Sequence, residues 1–346
     1  MVKKTSKYWQ KRFEALEVHQ HRSAYRLQRE LEKDFIKAER DILNLIEKWY
    51  QTLIDNNEDV SIADVRRFVT QAELKEFKWE LEDYIAYGKK YTTNKKWVNQ
   101  MENASARVHI NYLDLAKQQI TNRLEVLYHN YDVKLAKLAE KAITETYYHS
   151  MFEVHKGFNV GWKIQAFDER RLNKIMQFPW SADSKTFSQN IWDDKLKLTH
   201  NLHKELTQMT LRGGRPDDAI NNMARMMKTS RSNSRRLVMT ESSYFYSASQ
   251  EEVYKELNVE QYQIVATLDS RTSKICQSLD LQVYNMKDYS VGITAPPFHP
   301  YCRTVTVPYF DDEFTIGSRA ARGIDGKTYY VPGNMKYEDW FEKHAA

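Results

Sequence analysis

The sequence predicts a mainly α-helical chain that closes in a small α+β module. Three observations predict it. First, 29% of the 346 residues are charged, mean hydropathy is −0.73 and only ten residues are glycine. That composition suits long amphipathic helices better than a dense α/β enzyme. Second, apolar residues recur every three or four positions over long stretches free of Gly and Pro, the period of one buried helix face. Third, beyond Asn258 the period drops to two. Both cysteines, His299 and four of the seven prolines gather within residues 259–310. The expected division is a long helical region over 1–155, a helical part of a second domain over 156–258, and a compact Cys/His-bearing, β-containing module over 259–346.

Residues 7 to about 54 carry Leu27, Leu31, Phe35, Ala38, Ile42, Leu45, Trp49 and Leu53 at helical spacing, which predicts one helix stopped at Asp55-Asn56-Asn57. Ser61 reads as the N-cap of a second helix, with Asp64 three residues on. Leu74, Phe77, Leu81, Tyr84 and Ile85 continue it and Gly88 ends it. Residues 94–155 read as one further helix, with a stripe of Leu124, Leu127, Tyr128, Tyr131, Leu135, Leu138, Ala142 and Tyr147. Such stripes are core positions of a helical bundle or hairpin.

Gly157 and Gly161 open an aromatic connector containing Phe158, Trp162, Phe167, Phe178, Pro179 and Trp180. Ser184 precedes a helix over 185–211, which Gly213-Gly214-Arg215-Pro216 breaks. Pro216 suits a first helical turn, and Asp217 and Asp218 suit its positive end. That helix is expected to stop at Lys228, with Thr229–Asn233 a polar hinge and a new helix from Ser234 to Leu257. Tyr262, Ile264, Ala266 and Leu268 then alternate as in a strand, as do Val305 and Val307. Tyr329–Val331 reads as a third strand, and Asp339–His344 as a short terminal helix with Trp340 facing inward.

No stretch approaches the roughly 20 apolar residues that span a bilayer, and no apolar run follows the first lysines as in a signal peptide. Two cysteines in so long a chain do not form a disulfide framework, so a reducing compartment is expected. The net charge of +5 is concentrated in residues 1–30 and 195–236. Basic zones of this kind fit nucleic acid or an acidic partner, through Arg212, Arg215, Arg231, Arg235 and Arg236. The plainer reading is a solvated helix face.

Cys276, His299 and Cys302 are candidate metal ligands, and thiolate plus imidazole selects zinc. A closed structural site wants a fourth ligand, for which Asp269, Asp280 and water are the candidates. The alternative is that the three residues fill a small core and tie the loop together. Cys276 and His299 also form a conceivable nucleophile pair. Yet no Gly-rich turn, helix N-terminus or orienting Asn marks the cysteine as activated. Thr240 and Glu241 lie mid-helix without the second glutamate of ADP-ribosylating enzymes, and Asp269–Arg271 reads as a local ion pair pinning the loop. The expectation is a protein without a catalytic site.

Taken together, these residues resemble the phage head morphogenesis, or minor head, protein family, and are similar to protein F of phage Mu. Asp269, Arg271, Thr272 and Cys276 match the family's first block, and Leu279-Asp280 its turn. Pro296, Pro297, His299, Pro300, Cys302 and Arg303 match its last block. Trp180, Phe187, Ser188, Ile191, Trp192, Gly213, Arg235, Thr240 and Glu241 resemble its helical part, and Tyr337–Trp340 its tail, so the likeness runs over 160–346. Ser273 and Thr304 stand where the family often has cysteine, and Leu281 replaces glycine. The resemblance implies a low-copy structural protein inside a tailed-phage virion. Its implied partners are the portal, the scaffold or major capsid protein and packaged double-stranded DNA.

Overall fold

The computed structural model describes residues 6–55, 62–158, 166–212, 216–310, 318–322, 328–332 and 339. Nine α-helices and five strands are described among them. The helices are α1 (Ser6–Asp55), α2 (Ile62–Arg66), α3 (Gln71–Lys90), α4 (Lys95–Ser105), α5 (Tyr112–Phe158), α6 (Glu169–Met176), α7 (Phe187–Arg212), α8 (Pro216–Glu256) and α9 (Lys274–Leu279). The strands are β1 (Gln261–Val265), β2 (Val283–Asn285), β3 (Val305–Tyr309), β4 (Ser318–Arg322) and β5 (Thr328–Pro332). The mainly helical chain with a small strand-bearing C-terminal region is thus observed.

Two compact units form. One gathers residues 1–29, 134–187 and 235–346, the other 30–133 and 188–234. Each is assembled from separated stretches of sequence, and α1, α5 and α8 contribute to both.

The all-helical unit buries Leu31, Phe35, Ile42, Trp49, Leu124, Tyr128, Leu202 and Met223. Phe35 meets Tyr128 edge-on, with ring centroids 5.6 Å apart. The helix expected from Ser61 to Gly88 is broken here, because residues 67–69 leave the helix to pair with 110–112. Val69 N–H donates to Ile110 O at 3.0 Å and Tyr112 N–H to Arg67 O at 3.3 Å. The same pairing divides the helix expected over 94–155 into α4 and α5. Thr70 then caps α3 with a reciprocal box: Glu73 N–H donates to Thr70 Oγ1, and Thr70 N–H to Glu73 Oε2. Gly88 does not end α3. A Cβ there would lie 2.6 Å from Val98 Cγ2, so its smallness lets α4 approach.

The expected hinge at Thr229–Asn233 is absent, since α8 runs unbroken from Pro216 to Glu256. The polar run bonds back to its own helix: Thr229 Oγ1 donates to Arg225 O and Ser234 Oγ to Arg231 O, both at 2.9 Å. With no Gly or Pro in the run, nothing interrupts the ladder.

The strand-bearing unit packs a three-stranded antiparallel sheet, ordered β2-β1-β3, against helical residues. Tyr262, Ile264, Val305 and Val307 share one core with Trp9 and Phe13 of α1, Tyr147 and Met151 of α5, and Tyr246 and Tyr254 of α8. The expected third strand is found as β5, but it pairs with β4 in a separate hairpin. The expected terminal helix, with Trp340, lies outside the described residues apart from Asp339. α6 occupies part of the stretch read as a connector, capped by Asp168.

In the all-helical unit Lys195 forms a buried ion pair with Glu125, which is fully shielded from solvent. Removing one partner of such a pair leaves an uncompensated charge, whereas replacing both with apolar groups is tolerated. Glu125→Ala should therefore cost about 3–5 kcal/mol in denaturant unfolding. The double variant Glu125→Leu/Lys195→Met should recover most of that loss.

Candidate functional site

The site begins where β1 ends. Residues 266–272 lead into Ser273, whose hydroxyl accepts from Cys276 N–H at 3.2 Å and caps α9. Cys276 therefore sits in the first turn of a helix, contrary to the expectation from sequence. The Ser273-x-x-Cys276 spacing was the available signal. On the far side, Cys302 N–H donates to His299 O at 3.2 Å, closing a turn. Tyr301 takes a left-handed backbone (φ 62°) in that turn and donates its N–H to Thr240 Oγ1 at 3.2 Å. The Thr240 hydroxyl also donates to Arg236 O at 2.7 Å. Thr240 thus anchors the turn to α8.

These two pieces bring Cys276, His299 and Cys302 together. Cys276 Sγ lies 3.1 Å from His299 Nε2 and 3.7 Å from Cys302 Sγ. All three ligand atoms fall within 4.8 Å of one another. The cysteines are buried with Ala266 and Phe298, while His299 is half-buried. His299 Nδ1 lies 2.8 Å from Pro300 O, so Nδ1–H donates there and Nε2 turns its lone pair to the sulfurs.

The two thiols do not titrate alike. The hydrogen bond with Cys276 lowers Cys302, against the opposing effect of burial. Cys276 is pushed well up, first by its hydrogen bond with Cys302 and then by burial. As a nucleophile pair, Cys276 and His299 are within hydrogen-bond reach, but the thiol holds its proton more firmly than usual.

Neither carboxylate expected as a fourth ligand joins this group. Asp280 Oδ1 accepts from Ala266 N–H at 2.9 Å. Asp269 is gripped by Arg303, with Nη1 donating to Oδ2 at 2.6 Å and Nη2 to Oδ1 at 2.7 Å. Arg271 is not the main ionic partner. Its mostly exposed guanidinium is 3.6 Å from Asp269 Oδ2, and its backbone N–H donates to Oδ1 at 3.0 Å. Thr272 Oγ1 donates to Asp269 Oδ1 at 3.2 Å and also to Thr267 O. Burial alone would raise the Asp269 carboxyl, but the Arg303 fork overcomes it and holds the group below its ordinary value. A small pocket, with room for about one water, opens over the cluster between Thr267, Thr272, Arg271 and Tyr301.

Glu241 lies apart from this pocket. It is buried and accepts from Trp180 Nε1 at 3.0 Å. Of the basic residues, Arg235 and Arg236 are exposed on α8, whereas Arg231 is 3.4 Å from Glu39. The Arg212 side chain and all of Arg215 lie outside the described residues. The basic zone is thus partly neutralised by carboxylates of α1 and α5, through Arg231–Glu39 and Lys195–Glu125.

Residues 200–307 match the family model described as Phage Mu protein F like protein, a head morphogenesis family. The match is narrower than the likeness read from sequence. It spans less than half of the chain but includes the Cys276–His299–Cys302 cluster, the Asp269–Arg303 fork and Glu241. No curated protein and no solved structure matches the chain.

Burial, with the nearby Asp183 charge adding to it, raises the Glu241 carboxyl from 4.5 to about 7. A raised folded-state value means stability that is present below pH 4.5 and lost as pH climbs to 7. The loss should be about 3 kcal/mol across that window. Glu241→Gln keeps an acceptor for Trp180, so chemical denaturation from pH 4.5 to 8 should show a flatter profile and a more stable protein at pH 8.

Proposed function

We propose that this chain is a structural minor head protein of a tailed phage, which binds the portal or procapsid and supports head assembly, DNA packaging or ejection. The observation that carries this reading is the family match over 200–307, the stretch that builds the sheet and its Cys/His turn. Its partners would be the portal protein and the scaffold or major capsid protein, with packaged double-stranded DNA nearby. Its place would be inside the head, after assembly in the host cytoplasm. Among the described residues no helix is long and apolar enough to cross a membrane. The role needs no catalysis.

A second reading is a nucleic-acid-binding protein ejected with the genome. It is supported by exposed Arg235 and Arg236 on one helix, since guanidinium groups that meet phosphates release counterions.

The first reading is tested by mixing the purified chain with portal oligomers and with assembling procapsids, then sedimenting. Co-migration with either is expected; a chain that stays at the top of both gradients overturns the reading. For the second, a gel shift with double-stranded DNA should show binding at low salt that weakens as salt rises. Replacing Arg235 and Arg236 with Ala should reduce the salt slope by about 2. Absence of any shift at low salt removes nucleic-acid binding.

A further inference from the structure

We propose that Cys276, His299 and Cys302 form a binding site for one divalent cation of the zinc class, with solvent in the fourth position. The inference rests on geometry and stands independently of the head-protein reading. Zinc–sulfur and zinc–nitrogen bonds of about 2.3 and 2.05 Å at tetrahedral angles place two sulfurs about 3.8 Å apart, and a sulfur and nitrogen about 3.6 Å apart. The two sulfurs here are 3.7 Å apart, and Cys276 Sγ is 3.1 Å from His299 Nε2. All three ligand atoms lie within 4.8 Å of one another, so a modest rotation of the imidazole completes three corners of a tetrahedron.

The surroundings favour a ligand set. His299 donates Nδ1–H to a backbone carbonyl, the arrangement that fixes an imidazole for coordination through Nε2. Both sulfurs are buried, away from competing solvent, while His299 borders the small pocket. That pocket gives an entry path and room for one water as the fourth ligand. No other His, Cys, Asp or Glu joins the cluster among the described residues, and Asp269 and Asp280 are already committed. The site is therefore open at one corner and its metal exchangeable. Bound metal would join the first turn of α9 to the turn before β3, two pieces 23 residues apart in sequence.

The test uses the full chain, purified under reducing conditions and stripped with a chelator. Cobalt(II) titration should give sulfur-to-metal charge transfer and tetrahedral d–d bands saturating at one ion per chain, with zinc displacing cobalt. Cys276→Ser and Cys302→Ser should each abolish the charge-transfer signature of a two-thiolate site. His299→Ala, at a half-exposed position that should leave folding intact, should weaken affinity by at least about 10-fold. In the wild-type chain, zinc should slow alkylation of both cysteines. The proposal is overturned if saturating cobalt gives no charge transfer, or if metal binds equally well to His299→Ala. It is also overturned if mass analysis of the reduced preparation finds Cys276 and Cys302 joined as a disulfide.

Discussion

The strand-bearing unit depends on one stretch of α8, Glu241–Gln250, in which ten consecutive helical residues are buried. A helix covered on every side must satisfy its polar side chains internally, because an unmet buried polar group costs a few kcal/mol. This one does so through its neighbours. Ser249 donates to Ile143 O of α5, and Tyr246 to Phe13 O of α1. Gln250 donates to Tyr246 and accepts from Thr306 of β3. Ser247 and Tyr289 are joined through their hydroxyls. The small serines also let the neighbouring backbones come close.

That network determines where the sheet lies, and the sheet determines the site. Tyr254 donates to Thr306 O, fixing β3 against α8. β1 pairs with β3 so that Val265 faces Val305, which brings Asp269 and Arg303, on the extensions of the two strands, into a two-pronged contact. Thr240, at the entrance to the buried stretch, takes the Tyr301 amide and sets the turn carrying His299 and Cys302. The Cys/His cluster is thus held by strand register on one side and a helix hydroxyl on the other.

The polar groups of this module hold its shape: the Asp269 carboxylate is gripped by Arg303, and Asp280 accepts from a backbone amide. The stretch matching the Mu F-like family, residues 200–307, includes this scaffold. Arg235 and Arg236 of α8 are exposed beside it.

Much of this was legible in the sequence by itself. Helical periodicity identified α1 and the helical course of α5, because each turn of an amphipathic helix carries its own spacing, whereas α8 read as two helices. The switch to period two determined β1 and β3. The residue types at 276, 299 and 302 singled out three side chains that the fold brings together. Tertiary structure decided the matters that depend on distant partners. Residues 67–69 leave their helix only because 110–112 are there to pair with them. The polar run Thr229–Asn233 read as a hinge, yet α8 passes through it unbroken, and Thr229 bonds back to Arg225 O within the helix. Asp269 chose Arg303 over the nearer-in-sequence Arg271 because β-pairing delivers a guanidinium in fork geometry, which a residue two positions away cannot present. Local pattern specifies which groups are available; only the packed chain decides which of them meet.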